Sequence, residues 1–149
     1  MSASRMQDNI ERWLIHEGLS FEEVKNTDNS FQILVKHAGQ YGIPVEIFEP
    51  KAQSGVIVIG AKAIMKNNQI ARYLKFNEEE KERFAKKVSD FCNSIHAINK
   101  IITEDGKQKI GVYFVLDDKE NINQQVVFDA MDRVSEMHEK TARFLMKTF

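Results

Sequence analysis

A stretch in the middle of the chain has the glycine spacing of a phosphate-binding loop. Gly55 and Gly60 are separated by four residues, and Lys62 follows closely. Such a loop wraps its backbone around phosphate and follows its lysine with a hydroxyl residue that reaches magnesium. Here the residues between the glycines, 56–59, are all β-branched, and Ala63 follows the lysine. The segment therefore predicts a buried strand and no phosphate site.

A cysteine and a histidine have a second kind of chemical spacing. Cys92 and His96 are four residues apart on a predicted helix, which suits two metal ligands or a nucleophile with its base. Cys92 also lies within an apolar stripe, and no second helical pair supplies further ligands. The remaining histidines are distant in sequence: His16, His37 and His138. We expect a buried structural thiol, no metal site and no catalytic residue here.

Two groups of carboxylates complete the candidates for cation binding. Asp117, Asp118 and Glu120 lie between a predicted strand and the last helix. They suit a divalent cation, but carboxylates in this place also complement the positive end of a helix, and that interpretation is favoured. Glu46 and Glu49 lie on a predicted strand and are expected to be solvated. The sequence thus predicts no bound metal and no cofactor.

Basic residues with interleaved aromatic rings form a fourth candidate, for single-stranded nucleic acid. The basic residues are Lys62, Lys66, Arg72 and Lys75, and the rings are Tyr73 and Phe76. The whole chain carries 21 basic and 22 acidic residues, a net charge of -1. That balance gives no long-range field that collects phosphates, so a solvated face is favoured over nucleic-acid binding.

Length and composition are those of one globular domain, residues 1–149. Apolar residues make up 42% and charged residues 29% of the chain, and a single cysteine excludes an intramolecular disulfide. The first residues lack the apolar stretch of a signal peptide, and no window approaches 18 apolar residues. These features predict a cytoplasmic protein that does not enter a membrane.

The elements that position these residues follow from hydrophobic periodicity. A first helix is expected from the capping spacing of Ser4 and Gln7 to Gly18, which suits a left-handed helix end. Its apolar stripe comprises Met6, Ile10, Trp13 and Leu14. The period then changes to two, which predicts strands over 19–25, 31–37, 43–48 and 56–59, the last being the most central.

The second half returns to helical spacing. A short helix is expected after Asn67 or Asn68 within 61–76, and Asn77 with Glu80 predicts the cap of a longer helix. Asp105 and Gly106 predict a hairpin between strands 99–104 and 109–116, and a last helix runs from Asn121 or Asn123 to Thr148. The predicted fold is α+β, with a mainly antiparallel sheet, helices on one face and the order αββββ(α)αββα.

This order resembles the type III secretion chaperone-like fold. More closely, the chain resembles a largely archaeal family of unknown function assigned to that fold class. The resemblance rests on segments 10–15 with Gly18, 47–50, 56–60 and 77–82, on the hairpin at 105–106 and on the final helix. It implies the fold and covers nearly the whole chain, but it implies no specific activity.

The predicted sheet has too many apolar residues for one covered face. If Ile33, Ile47 and Val112 face the helices, the opposite face carries Leu34, Phe48, Tyr113 and Val115. These four are the candidate partner or dimer face. We interpret the chain as a non-enzymatic homodimeric adaptor that binds another polypeptide through this face or a sheet edge. The alternatives are a ligand-binding protein or enzyme whose site assembles only in three dimensions, and a weak nucleic-acid-associated protein.

Overall fold

The computed structural model describes residues 2–94, 98–104 and 106–149, with the side chains of 2–4 and 119 left aside. Within these ranges no helix is long and apolar enough to cross a membrane. The elements are α1 (Ser2–His16), β1 (Phe21–Glu23), β2 (Asn29–Ala38), β3 (Ile43–Pro50), β4 (Ile57–Ile64), α2 (Asn67–Leu74), α3 (Glu78–Ser94), β5 (Ile98–Glu104), β6 (Lys107–Leu116) and α4 (Gln124–Thr148). A single 3-10 turn, Lys119–Asn121, precedes α4.

The six strands form one sheet in the order β1-β2-β3-β4-β6-β5. The pairings β1 with β2, β2 with β3, β3 with β4 and β5 with β6 are antiparallel. The α+β class and the predicted order of elements are confirmed. β4 is an interior strand, as its apolar sequence predicts, and the edges of the sheet are β1 and β5.

The chain divides into two compact units, Met1–Ala61 with Phe114–Glu136, and Lys62–Tyr113 with Met137–Phe149. In the first unit α1 contacts β2, and Ile10 and Leu14 of the helix are fully buried. The cross-strand pairs Ile33 with Ile47 and Val35 with Val45 are also fully buried. Alternation along the strands therefore puts one face of β2 and β3 into the core.

The loop after β2 approaches α4 closely in the same unit. Gly39 has a φ of 70°, and a Cβ atom there would lie 2.4 Å from Cβ of Ser135. The Ser135 hydroxyl, which is fully buried, accepts the backbone N–H of Tyr41 at 3.2 Å. A glycine is needed at position 39 both for its positive φ and for the space.

In the second unit α3 contacts β5, and the buried face of α3 comprises Phe84, Val88 and Cys92. Asn77 caps the helix: its Oδ1 accepts the N–H of Glu80 at 2.8 Å, and Glu80 Oε1 accepts the N–H of Asn77 at 3.2 Å. This is the reciprocal cap that the sequence predicts. The short α2 also begins where it was expected.

Some predicted boundaries are wrong. α1 begins at Ser2, so the backbone of Ser4 lies inside the helix and not at its predicted start. β1 spans three residues where seven were predicted, and it is paired only over Phe21–Glu23. β4 continues to Ile64, five residues beyond the predicted end. The hairpin is confirmed by the pairing of β5 with β6, while Asp105 in its turn lies outside the described residues.

Candidate functional site

The segment with phosphate-loop spacing is an extended strand. Residues 57–64 form β4, and Gly60 and Ala61 are buried within it. Its backbone groups are arranged for a sheet and cannot converge on a phosphate, as predicted. Lys62 donates from Nζ to Glu104 Oε1 at 2.9 Å and to Oε2 at 3.1 Å.

Cys92 is fully buried, as its place in the apolar stripe predicts. Burial raises the pKa of its thiol to about 11, because desolvation disfavours the thiolate. A thiol of this kind is a poor nucleophile and a poor metal ligand at neutral pH. His96, the other member of the predicted pair, lies outside the described residues.

The carboxylates do not converge on a cation. Asp117 and Glu120 are exposed, and Asp118 accepts a hydrogen bond from the side-chain amide of Asn121. In the described part of the chain, no group of three or more histidine, cysteine, aspartate or glutamate side chains is placed to hold a metal ion. The prediction that Glu49 is solvated is wrong: it is 3% exposed, and its Oε2 accepts the N–H of Gly55 at 2.9 Å.

The basic segment is partly engaged within the protein. Lys62 pairs with Glu104, and the guanidinium of Arg72 donates to the backbone oxygen of Phe149. The rings of Tyr73 and Phe76 contact each other edge-on at 5.9 Å between centroids. Stacking a base on either ring would therefore compete with existing contacts of the segment.

The candidate partner face separates into one part in each unit. In the first unit Leu34 and Phe48 are half-buried, and Val115 is 37% exposed. Phe48 lies opposite Gln32, whose side-chain amide donates to Glu46, and Leu34 lies opposite Glu46. This face therefore mixes apolar side chains with a polar pair, and Val115 is its most accessible large apolar residue among the four.

In the second unit Tyr113 lies opposite Ile98 at the start of β5. Its ring covers Gly111, since a Cβ atom on that glycine would lie 2.4 Å from the tyrosine hydroxyl oxygen. Tyr113 is half-buried, and Ile98 is 56% exposed. An exposed isoleucine beside an aromatic ring gives an extended segment an apolar contact at this edge.

The backbone of β5 supplies a second kind of contact at the same edge. Glu104 lies opposite Lys107, so two residues form the loop and this flanking pair exchanges its ladder hydrogen bonds. Bonded and non-bonded pairs alternate along the strand. The N–H and C=O groups of Asn99, Ile101 and Thr103 therefore point away from β6, toward the outer side of the sheet. We refer to these three residues, with Ile98, as the β5 edge.

The two sheet edges differ in length. β1 offers three residues, whereas β5 offers seven and contains no proline. Long, unbroken edge strands are generally blocked in proteins that avoid strand addition. The end of β5 is also held in place, because Glu104 accepts hydrogen bonds from Lys62 of β4 and Lys109 of β6. β5 is thus the longer of the two edges, and its end is fixed to the sheet by side-chain hydrogen bonds.

The sequence did not reveal every notable residue. The outward backbone groups of β5 follow from the register of the hairpin. A two-residue turn at Asp105–Gly106 predicts that register, so the sequence contained the signal for them. His138 was missed: it is half-buried, and its Nδ1 is buried without a hydrogen-bond partner in the described part of the chain. Burial lowers the pKa of His138, partly opposed by a hydrogen bond to the Lys62 backbone. Its distance from Lys62 in sequence hides this relationship.

Comparisons with known proteins identify the family of this chain and a structure with a similar fold. The family model of an uncharacterized conserved protein, DUF2299, matches residues 6–145, and the chain belongs to this family. The crystal structure of an uncharacterized protein from Methanothermobacter thermautotrophicus is similar, with a TM-score of 0.73, 16% identity, and coverage of 96% of this chain and 98% of that chain. The expected relationship to an archaeal family of unknown function is confirmed.

A second structure is less similar. The crystal structure of YbjN from E. coli, described as a proposed transcription regulator, has a TM-score of 0.51 and 13% identity. The match covers 95% of this chain and 90% of YbjN. A comparison with curated proteins finds no match to the sequence. At these identities the two structures establish a shared fold.

Proposed function

We propose that this protein is a non-enzymatic adaptor that binds another polypeptide as an added strand on β5. The observation that carries the proposal is the outward direction of the backbone groups of Asn99, Ile101 and Thr103 on an edge strand of seven residues without proline. Strand addition obtains affinity from such main-chain hydrogen bonds and specificity from alternate side chains. The protein would act in the cytoplasm as a homodimer, with chaperone-like binding of an extended segment.

The side chains around the edge support this mode of binding. Ile98 is 56% exposed on the edge strand, so an apolar residue opposite it on an added strand would contact its side chain. Lys100 lies two residues further along β5 on the same face and is exposed, so it suits an acidic residue opposite it. The expected partner is therefore an extended segment that carries an apolar residue and an acidic residue two positions apart, on the same face of the strand.

Several observations favour binding over catalysis. The Cys92 thiol is buried and its pKa is about 11. The carboxylates at 117–120 are exposed, and Glu49 is tied to the backbone of Gly55. An enzyme would instead gather titratable groups with shifted pKa values in one cleft.

The proposal is tested by changing one outward amide of β5. Thr103→Pro removes an N–H that lies outside the β6 ladder, so the hairpin should remain folded. The variant also loses the hydroxyl that donates to Gln108 at 3.1 Å, and Thr103→Val provides the matched control because it loses the same hydroxyl but keeps the amide. Asn99→Pro makes the same change at the other end of the edge.

The measurement is the capture of polypeptides from lysate of the native host, with folding of each variant verified by circular dichroism. Wild type and Thr103→Val should retain the same specific polypeptide, and both proline variants should lose it. Retention by both folded proline variants would contradict strand addition. If the wild type captures no specific polypeptide at all, the adaptor function itself would be contradicted.

A further inference from the structure

The second unit contains a cavity of about 250 Å³ at the N-terminal half of α3. It is lined by Phe76, Glu80, Arg83, Phe84, Lys87 and Thr148. Four of these residues lie on α3, one precedes it, and one belongs to the last turn of α4. None of them belongs to the β5 edge, so this cavity is separate from the surface of the proposed function.

One wall of the cavity is aromatic and held firmly by ring contacts. Phe84 is 3% exposed, and its ring centroid lies 5.3 Å from that of Phe149 and 5.4 Å from that of Tyr73. Phe76 stacks on Phe149 at 5.9 Å with an angle of 20° between the rings. The half-buried Phe76 is therefore the accessible ring of this wall, and because its neighbours fix it, binding costs little side-chain freedom.

The lining of the cavity also carries two positive charges. Arg83 and Lys87 are one helical turn apart on α3 and are exposed. Within the described residues neither forms an ion pair, whereas the adjacent Lys86 pairs with Asp90 at 3.1 Å and Lys81 lies over the ring of Tyr73. Two like charges at this spacing repel each other, and an anion between them relieves that repulsion.

The lining contains two further polar residues, Glu80 and Thr148, and each already forms one hydrogen bond. Glu80, the carboxylate of the lining, accepts the backbone N–H of Asn77 as part of the α3 cap. The hydroxyl of Thr148 donates to the carbonyl of Phe144 at 2.9 Å, which leaves its oxygen able to accept. The cavity therefore combines an aromatic wall with two cations and one carboxylate, so that its lining carries a net positive charge. Its volume exceeds the roughly 150 Å³ in which an engineered apolar cavity holds benzene.

We propose that this cavity binds a small organic carboxylate that carries an aromatic ring. The ring would lie against Phe76, which Phe84 supports from within the core, and the carboxylate would accept hydrogen bonds from Arg83 and Lys87. A charged hydrogen bond of this kind is stronger than a neutral one, and the guanidinium suits a planar carboxylate. A neutral aromatic compound or a carboxylate without a ring would satisfy only half of the site.

The test is a titration of the full ¹⁵N-labelled chain with 3-phenylpropionate, followed by amide chemical shifts. Saturable shifts should appear at Phe76, Arg83, Lys87 and Thr148. Acetate and the neutral analogue 3-phenylpropanol should bind at least about fivefold more weakly, since each lacks one of the two contacts. Raising the salt concentration from 50 to 500 mM should weaken binding of the propionate and not of the alcohol.

Charge variants test whether Arg83 and Lys87 bind the carboxylate. The double variant Arg83→Gln with Lys87→Gln should raise the Kd about tenfold, because two partly exposed ion pairs are lost. Lys86→Gln removes one charge from the same helix outside the cavity and should leave the Kd unchanged. All three positions are exposed, so the fold should be retained.

Three results would overturn the proposal. Shifts absent up to 20 mM 3-phenylpropionate would show that the cavity does not accept this class of ligand. Equal affinity for the propionate and the alcohol would remove the role of the cations. If Lys86→Gln weakened binding of 3-phenylpropionate as much as the double variant does, the effect would come from the overall charge of the protein and not from the two cavity residues. Because the β5 edge is untouched by these variants, capture of a polypeptide partner is an independent readout of the adaptor function.

Discussion

Lys62 Nζ lies 2.9 Å from Glu104 Oε1 and joins β4 to the end of β5 across the intervening strand β6. Lys109 on β6 donates to the same oxygen at 3.4 Å. Hydrogen bonding from Lys62 is the largest cause of a lowered pKa at Glu104, and the charges of both lysines add to it. The carboxylate therefore holds the outer strand in place in its ionised form.

The first prediction concerns acid stability. The lowered pKa of Glu104 means that its stabilising contribution is present above the unfolded pKa, near 4.5, and is lost as pH falls through the folded value. Glu104→Gln should lower the free energy of unfolding by less than about 1 kcal/mol at pH 7, since the pair is partly solvated. Urea unfolding should show that the difference shrinks toward pH 3. Glu22→Gln, in the exposed 4.0 Å pair with Lys36, is the control and should have no measurable effect.

The second prediction concerns His138. Burial lowers the pKa of this side chain below 6.5, so the unfolded chain takes up the proton more readily than the folded protein. Stability should therefore fall as pH decreases below 6.5, with a slope of at most about 1.4 kcal/mol per pH unit from this group. His138→Gln cannot titrate and should flatten urea-unfolding stability between pH 7 and pH 5. An unchanged slope in that variant would assign the dependence to other groups.

The third prediction separates backbone strain from steric overlap. Gly39 and Gly42 have φ values of 70° and 60°, but only at Gly39 would a Cβ atom meet a neighbour, Ser135. Gly42→Ala should cost about 1 kcal/mol, the penalty of a left-handed alanine. Gly39→Ala should cost at least about 2 kcal/mol more, because the buried contact with α4 must open. Thermal unfolding of both variants measures the difference, and equal costs would show that Ser135 gives way freely.

The fourth prediction concerns the homodimer expected from the apolar second face. Light scattering at micromolar concentration should give twice the mass of the chain, with an interface of at least about 1,000 Å². Tyr113→Glu should dissociate the dimer while the subunit stays folded, because a buried carboxylate at the interface is unpaired. Tyr113→Phe keeps the ring and should remain dimeric. A monomeric wild type would leave this face free for another partner.

Local patterns predicted much of the fold. Hydrophobic periodicity and caps predicted α3, α4 and β6, because amphipathic spacing and side-chain caps act within a few residues of sequence. The boundaries that failed depend on distant pairing. β4 continues to Ile64 although Gly60 and Lys62 interrupt its apolar run, since neighbouring strands satisfy its backbone. β1 is short because β2 pairs with only three of its residues.

In the candidate sites, too, features that depend on local sequence were predicted and features that depend on distant residues were not. The burial of Cys92 was predicted from the helical stripe, but that of Glu49 was not, because its partner is the backbone of Gly55 in the returning loop. The cavity at α3 combines Phe76 and Arg83 with Thr148, and no local pattern connects residues so far apart. Identifying β5 as an edge strand requires the order of the sheet, and identifying its outward backbone groups requires the register. Only the folded chain defines both.

Amide hydrogen exchange on β5 tests the adaptor proposal most directly. In the free protein the outward amides of Asn99, Ile101 and Thr103 should exchange rapidly, and those of Lys100 and Ile102 in the β6 ladder slowly. In complex with the polypeptide that the chain captures, the three outward amides should become protected and the ladder amides should change little. Protection of the outward amides already in the free protein, or a complex that leaves them exchanging rapidly, would contradict binding by strand addition.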